Sequence, residues 1–269
     1  LSPFYAEEEA SAMAKWISSD ILHLSTLELY TGKDMNFSTK EWEELEDILR
    51  RLKQREPLQY ILQEASFCGR SFHVEQGVLI PRPETEELVE WIVSDYREAG
   101  QVRILDIGTG SGCIPVSLAQ LLPEAQVSSC DVSAEALRIA AMNVKRYGDK
   151  VTLFCADILK EELPECQVDV LVSNPPYITE SERTDMEANV LDWEPELALF
   201  VPDSDPLRFY RRIARKGLDW LSEGGALYFE INRAYGAETV RMLEALGYRQ
   251  IELRKDLSGN DRMIKAIRP

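Results

Sequence analysis

The chain has 269 residues, 45% of them apolar, enough for one large domain or a domain with a smaller companion. Its formal net charge of −17 works against a duplex-binding protein, which needs clustered Lys and Arg to displace counterions. No apolar run reaches the roughly 18 residues that span a bilayer.

The opening L-S-P-F-Y-A-E-E-E lacks the basic and apolar regions of a secretory leader, and residue 1 is Leu, so what precedes it is left open. Residues 5 to 64 read as helices: A-E-E-E-A-S-A-M-A-K-W-I, then I-L-H-L-S-T-L-E-L-Y, then E-W-E-E-L-E-D-I-L-R-R-L-K. In the last, Trp42, Leu45, Ile48, Leu49 and Leu52 recur at intervals of three and four, and Thr39 is placed to cap the start. A small helical bundle is expected over 1–65. Asn36-Phe37-Ser38 matches a glycosylation sequon and is read as chance. Residues 66 to 80 alternate and are broken by Gly69 and Gly77, which predicts a β-hairpin in a linker spanning 66–82.

From residue 83 to 269 the pattern turns to alternating strands and helices. Strands are expected at 102–108, 127–132, 151–155, 168–173, 226–231, 248–253 and 263–267. Continuous apolar strands separated by helical segments predict a parallel sheet covered on both faces. The last two strands are too close for a helical crossover and should form an antiparallel hairpin. The five cysteines, Cys68, Cys113, Cys130, Cys155 and Cys166, are odd in number and show no C-x-x-C spacing. They argue against a disulfide framework or a zinc site, so no metal and a reducing cytoplasm are expected.

Four successive strand ends carry ligand-type residues. I-L-D-I-G-T-G-S-G-C-I, residues 104 to 114, runs from a strand through Gly108, Gly110 and Gly112 into a helix. Glycines there let the backbone turn sharply and approach a ligand, although the spacing differs from the dinucleotide pattern. Asp131 ends the next strand, 19 residues after Gly112, where a carboxylate can accept two ribose hydroxyls; Ser133 is the better helix cap. Asp157 and Ile158 follow the third strand and suit an adenine amino group against an apolar wall. The fourth ends in V-S-N-P-P-Y-I, which by itself reads as a turn.

Together, D-I-G-T-G-S-G, the acidic end of the second strand and N-P-P-Y resemble the Rossmann-like S-adenosylmethionine-dependent methyltransferases that act on amide or exocyclic amino nitrogens. P-L-Q-Y-I, L-I-P-R-P-E-T-E, W-E-P and the ending G-N-D-R-M-I further resemble the peptide chain release factor glutamine methyltransferases, the HemK/PrmC family, over almost the whole chain. The resemblance implies an α/β fold with a seven-stranded sheet and a small N-terminal helical bundle joined by a β-hairpin. It implies Gly108, Thr109, Gly110, Ser111 and Gly112 around the methionine part of S-adenosylmethionine, Asp131 at the ribose, and Asp157 and Ile158 at the adenine. Asn174, Pro175, Pro176 and Tyr177 would hold the Gly-Gly-Gln glutamine of class 1 release factors, with Asn174 also touching the cofactor. The helical domain and the W-E-P loop would dock that partner, and the enzyme would act as a monomer.

An amide nitrogen is a poor nucleophile because its lone pair is delocalised into the carbonyl. The Asn174 oxygen and the Pro175 carbonyl can each accept one amide hydrogen and direct the lone pair, while Tyr177 can pack on the flat amide. No strong base is demanded. His23, in the bundle, and His73, in the hairpin, both lie away from the site edge. Arg82, Glu84 and Thr85 either line the cofactor entrance or cap a helix. Two rivals remain: an adenine N6-methyltransferase, which would need a basic groove, and a scaffold that binds the cofactor without turnover.

Overall fold

A computed structural model describes residues 4–31, 37–160 and 166–269, so Asn36 of the sequon lies outside the described residues. The chain forms two compact units, one of residues 1–63 with 187–193, the other of residues 64–186 with 194–269.

The smaller unit opens with α1 (Glu7–Asp20), α2 (Thr26–Thr31), α3 (Thr39–Leu52) and α4 (Leu58–Leu62). Its core is Ile17, Ile48, Leu52, Leu58 and Ile61, the inward face of the three-and-four spacing. The expected helix over 21–30 starts only at Thr26, because His23 sits in the left-handed region at φ 51° and breaks the run. Ser38, rather than Thr39, caps α3: its hydroxyl accepts the Glu41 N–H while the Glu41 carboxylate accepts the Ser38 N–H. Trp42 is exposed and rests edge-on against Phe37, ring centres 5.6 Å apart.

The larger unit starts with an antiparallel hairpin of β1 (Glu64–Phe67) and β2 (Arg70–His73), turned by Cys68 and Gly69, both at positive φ. The hairpin is shorter than the alternation suggested, since residues 74–80 form no strand. Phe67 and Phe72 are fully buried in the core of this unit. There follow α5 (Pro83–Tyr96), β3 (Arg103–Ile107), α6 (Cys113–Leu121), β4 (Gln126–Asp131), α7 (Ala134–Arg146), β5 (Val151–Cys155) and β6 (Val168–Ser173). Beyond these lie β7 (Ile178–Thr179), α8 (Ala188–Trp193) in the smaller unit, α9 (Glu196–Leu199), β8 (Phe200–Val201) and α10 (Arg208–Trp220). The chain closes with β9 (Leu221–Glu230), α11 (Gly236–Ala245), β10 (Arg249–Lys255) and β11 (Asp261–Ile267).

Seven strands form the main sheet in the order β10-β11-β9-β6-β3-β4-β5. The five from β9 to β5 run parallel, and β11 and β10 close one edge antiparallel, the hairpin expected from their short connection. Alternate residues serve opposite faces: Ile104, Val170, Val172 and Tyr228 join α5 and α6 in one core, while Leu105, Leu171, Leu227 and Phe229 join α10 and α11 in the other. No helix among the described residues is long and apolar enough to cross a membrane.

At the amino end of the sheet the Arg103 guanidinium and backbone N–H both donate to Asp169, and the guanidinium bonds hold that carboxyl down at about 2. An unfolded Asp titrates near 3.9, so the pair contributes stability above about pH 4 and loses it as pH falls through about 2. We expect Asp169→Asn to lower the melting temperature at neutral pH, with the gap to the parent chain closing between those two values. A gap that persists at the acid end would assign the loss to something other than the ion pair.

Candidate functional site

Parallel register places the strand ends side by side. Ile107 lies beside Cys130 and Ser173, and Ser173 beside Phe229. The next residue on each strand, Gly108, Asp131, Asn174 and Glu230, therefore falls at one level of the carboxyl edge. A cavity of about 300 Å³ opens there. Of the candidate site residues from sequence it is lined by Arg82, Thr85, Gly108, Thr109, Gly110, Ser111, Asp131, Asp157, Ile158, Asn174, Pro175 and Pro176, but not by Glu84. Gly112 and Tyr177 do not line it.

The turn from β3 to α6 requires its glycines. Gly108 and Gly110 have φ of 85° and 52°, and a Cβ on either would meet no atom within 4 Å of protein, so both present bare backbone to open space. Gly112, at φ 82°, sits instead against α7: a Cβ there would lie 3.3 Å from Ala140. Asp131 locks the turn by accepting the Gly110 N–H at 3.0 Å with one oxygen and the Ser133 N–H at 2.9 Å with the other. Ser133 caps α7, as its position suggested, which leaves the second lone pair on each Asp131 oxygen unused by the helix. Thr109 Oγ1 and Ser111 Oγ are buried and have no protein partner among the described residues. Beneath the turn, burial pushes the Asp106 carboxyl up to about 7, opposed by the Ser129 hydroxyl bonded to it at 2.5 Å.

On the far wall, Asp157 accepts the Leu159 N–H at 3.0 Å and sets the turn that exposes Ile158 to the cavity. An aromatic also reaches this space: Phe209, from the start of α10, lines it as Ile158 does. Nothing in the local sequence marks Phe209, since it reads as one apolar position of an amphipathic helix. Cys113 and Cys130 line the floor, where burial raises both thiols to about 12 and keeps them unreactive.

The Asn174 corner is held by a chain of polar side chains that sequence reading had not connected. Asn174 Nδ2 donates to Thr85 Oγ1 at 3.1 Å, and the Thr85 hydroxyl donates to Glu230 Oε2 at 2.5 Å. The Tyr177 hydroxyl donates to the other Glu230 oxygen at 3.1 Å. Tyr177 thus turns away from the cavity, contrary to the expectation that its ring would face a flat amide. Its backbone carbonyl accepts from Asn232, and burial together with the Glu230 charge raises its phenol well above the ordinary value. Burial also raises the Glu230 carboxyl, opposed by Thr85, Arg262 and Tyr177. Thr85 is not a helix cap, since Arg82 holds the cap position of α5 without a side-chain bond. Arg82 pairs with Glu194, whose other oxygen accepts the Ile80 N–H at 3.1 Å. The W-E-P carboxylate is therefore buried and held by two donors.

Comparison with known proteins gives the class first. Residues 85–192 match the family described as the methyltransferase small domain, and residues 5–62 match the PrmC N-terminal domain. A methyltransferase of Pyrococcus furiosus has the same fold, with a TM-score of 0.56 at 17% identity, over 82% of this chain and 98% of that one. The sequence relatives are narrower. The release factor glutamine methyltransferase of Bacteroides thetaiotaomicron is 52% identical over 100% of this chain and 96% of its own length. That of Flavobacterium psychrophilum is 42% identical over 98% and 94%. The chain belongs to the release factor glutamine methyltransferase family.

Gly112→Ala tests the geometry of the turn apart from any chemistry. A left-handed backbone costs a non-glycine residue about 1–2 kcal/mol, and the Ala140 contact adds to it. Urea unfolding should show a loss of at least that size, whereas a change below about half a kcal/mol would mean that the turn relaxes freely.

Proposed function

We propose that this chain transfers a methyl group from S-adenosylmethionine to the side-chain amide nitrogen, N5, of the Gly-Gly-Gln glutamine in class 1 peptide chain release factors. The observation that carries the reading is Asn174: with Nδ2 given to Thr85, the other polar atom of its side chain, Oδ1, is left for the cavity. A glutamine NH2 group has two hydrogens to give and no acceptor to offer. Asn174 Oδ1 and the Pro175 carbonyl can take one each, holding the nitrogen in place and turning its lone pair outward. Proline at 175 and 176 removes two backbone donors that would compete for those oxygens.

The cavity fits the cofactor on the terms of its own residues. Bare glycine backbone at 108 and 110 leaves room for a close ligand, and the unpartnered Thr109 and Ser111 hydroxyls offer polar contacts to the methionine part. Asp131 retains lone pairs for a ribose diol, and Asp157 with Ile158 and Phe209 suits an adenine. When bound, S-adenosylmethionine supplies a methyl group on a positively charged sulfur.

The helical residues 1–65 would form the docking surface for the release factor, with 66–82 as the link and 83–269 as the catalytic part. The enzyme would work in the cytoplasm, where translation terminates, as a monomer. The charge of −17 favours a protein substrate over a nucleic acid.

Purified release factor, incubated with this chain and S-adenosylmethionine, should gain one methyl group on the Gly-Gly-Gln glutamine by mass spectrometry. An adenine-containing DNA in parallel should gain none. Asn174→Ala should abolish transfer while retaining most of the affinity for S-adenosylhomocysteine. Methylated DNA would favour an adenine enzyme, and cofactor binding without any transfer would favour a scaffold.

A further inference from the structure

We propose that Thr85 and Glu230 act as positioning residues that decide which end of the Asn174 amide faces the substrate. The inference rests on the glutamine transfer proposed above and assigns a task to two residues outside the Asn-Pro-Pro-Tyr motif. It follows from counting hydrogens along the chain of contacts.

A carboxylate can only accept, so both hydroxyls that touch Glu230, those of Thr85 and Tyr177, must donate to it. Thr85 has one proton, and giving it to Glu230 at 2.5 Å leaves its oxygen as an acceptor only. The group 3.1 Å away on Asn174 must therefore be the NH2 end. The carbonyl end is then directed to the cavity, as an acceptor for substrate hydrogens. Turning the amide over would set two oxygens against each other at Thr85 and present a donor to a substrate that also donates. Burial works against the Glu230 charge, and Arg262 and the two hydroxyl donors oppose that effect. The parts come from three distant places in the chain: α5, the exit of β6 and the last residue of β9. They meet because β6 and β9 are adjacent and in register at Ser173 and Phe229.

Two shape-conserving changes test the assignment. Thr85→Val removes both the proton and the acceptor. Glu230→Gln brings a donor to Thr85, so the threonine hydroxyl is free to donate to Asn174 Oδ1 in the reversed amide. With release factor as substrate and S-adenosylmethionine saturating, single-turnover transfer should fall about 10- to 100-fold in each, the range for a misaimed reacting group. Affinity for S-adenosylhomocysteine and the melting temperature should stay close to those of the parent chain. Thr85→Ser, which restores the hydroxyl, should recover most of the rate lost in Thr85→Val.

Unchanged transfer rates would overturn the proposal. So would a fall matched by equal losses of cofactor affinity and melting temperature, which marks a merely structural role. If Thr85→Val does not fold, Glu230→Gln with Thr85→Ser decides the matter. A parent chain that binds S-adenosylhomocysteine yet methylates no release factor refutes the proposed function instead, and removes the positioning role with it.

Discussion

The site depends on one constraint, the parallel pairing of β6, β3, β4 and β9 in register at their carboxyl ends. Parallel strands must all exit on the same side, so residues far apart in sequence arrive at one level once the strands pair. Gly108, Asp131, Asn174 and Glu230 owe their proximity to this alone. The helices that return the chain between strands cover both faces, which is why the strands are largely apolar, the buried Asp106–Ser129 pair of β3 and β4 apart, and why the ligand-type residues gather at their carboxyl ends.

The protein is strongly acidic, yet the carboxylates around the cavity are not left bare. Asp131 is held by two backbone N–H groups, Asp157 by one, Glu230 by two hydroxyls, and Glu194 by Arg82 and a backbone N–H. Each bond fixes an orientation, and each oxygen retains a lone pair. The result is a pocket rich in oriented acceptors whose one lining arginine is already paired. That electrostatic character suits a positively charged cofactor and a substrate group that offers only hydrogens.

The sheet, and with it most of the site, was legible because strand ends carry their meaning locally. A glycine turn after β3, an aspartate closing β4 and Asn-Pro-Pro after β6 each stand out within a few residues, and parallel topology does the rest. What was not legible depends on the third dimension. Glu230 reads as the end of an ordinary strand until β9 is known to lie next to β6. Phe209 reads as a core position of α10. Tyr177 was expected at the cavity from its place in the motif, but a buried carboxylate behind the corner claims its hydroxyl. Glu194 gives no local sign in the sequence that Arg82 and the Ile80 N–H hold its carboxylate. In the smaller unit the differences from the sequence pattern are local: Ser38 instead of Thr39 at the cap, and a left-handed His23 within the apolar spacing of a helix.

The division of the chain into units has a consequence for how such a protein can be taken apart. Residues 187–193 belong with 1–63, while the segments on either side of them belong with the larger unit. The polypeptide therefore passes between the units three times: after residue 63, after 186 and after 193. A single cut near residue 63 separates nothing cleanly, because it strands α8 from the helices it packs with. The two units are not modules strung end to end, and neither can be transplanted as a continuous stretch of sequence.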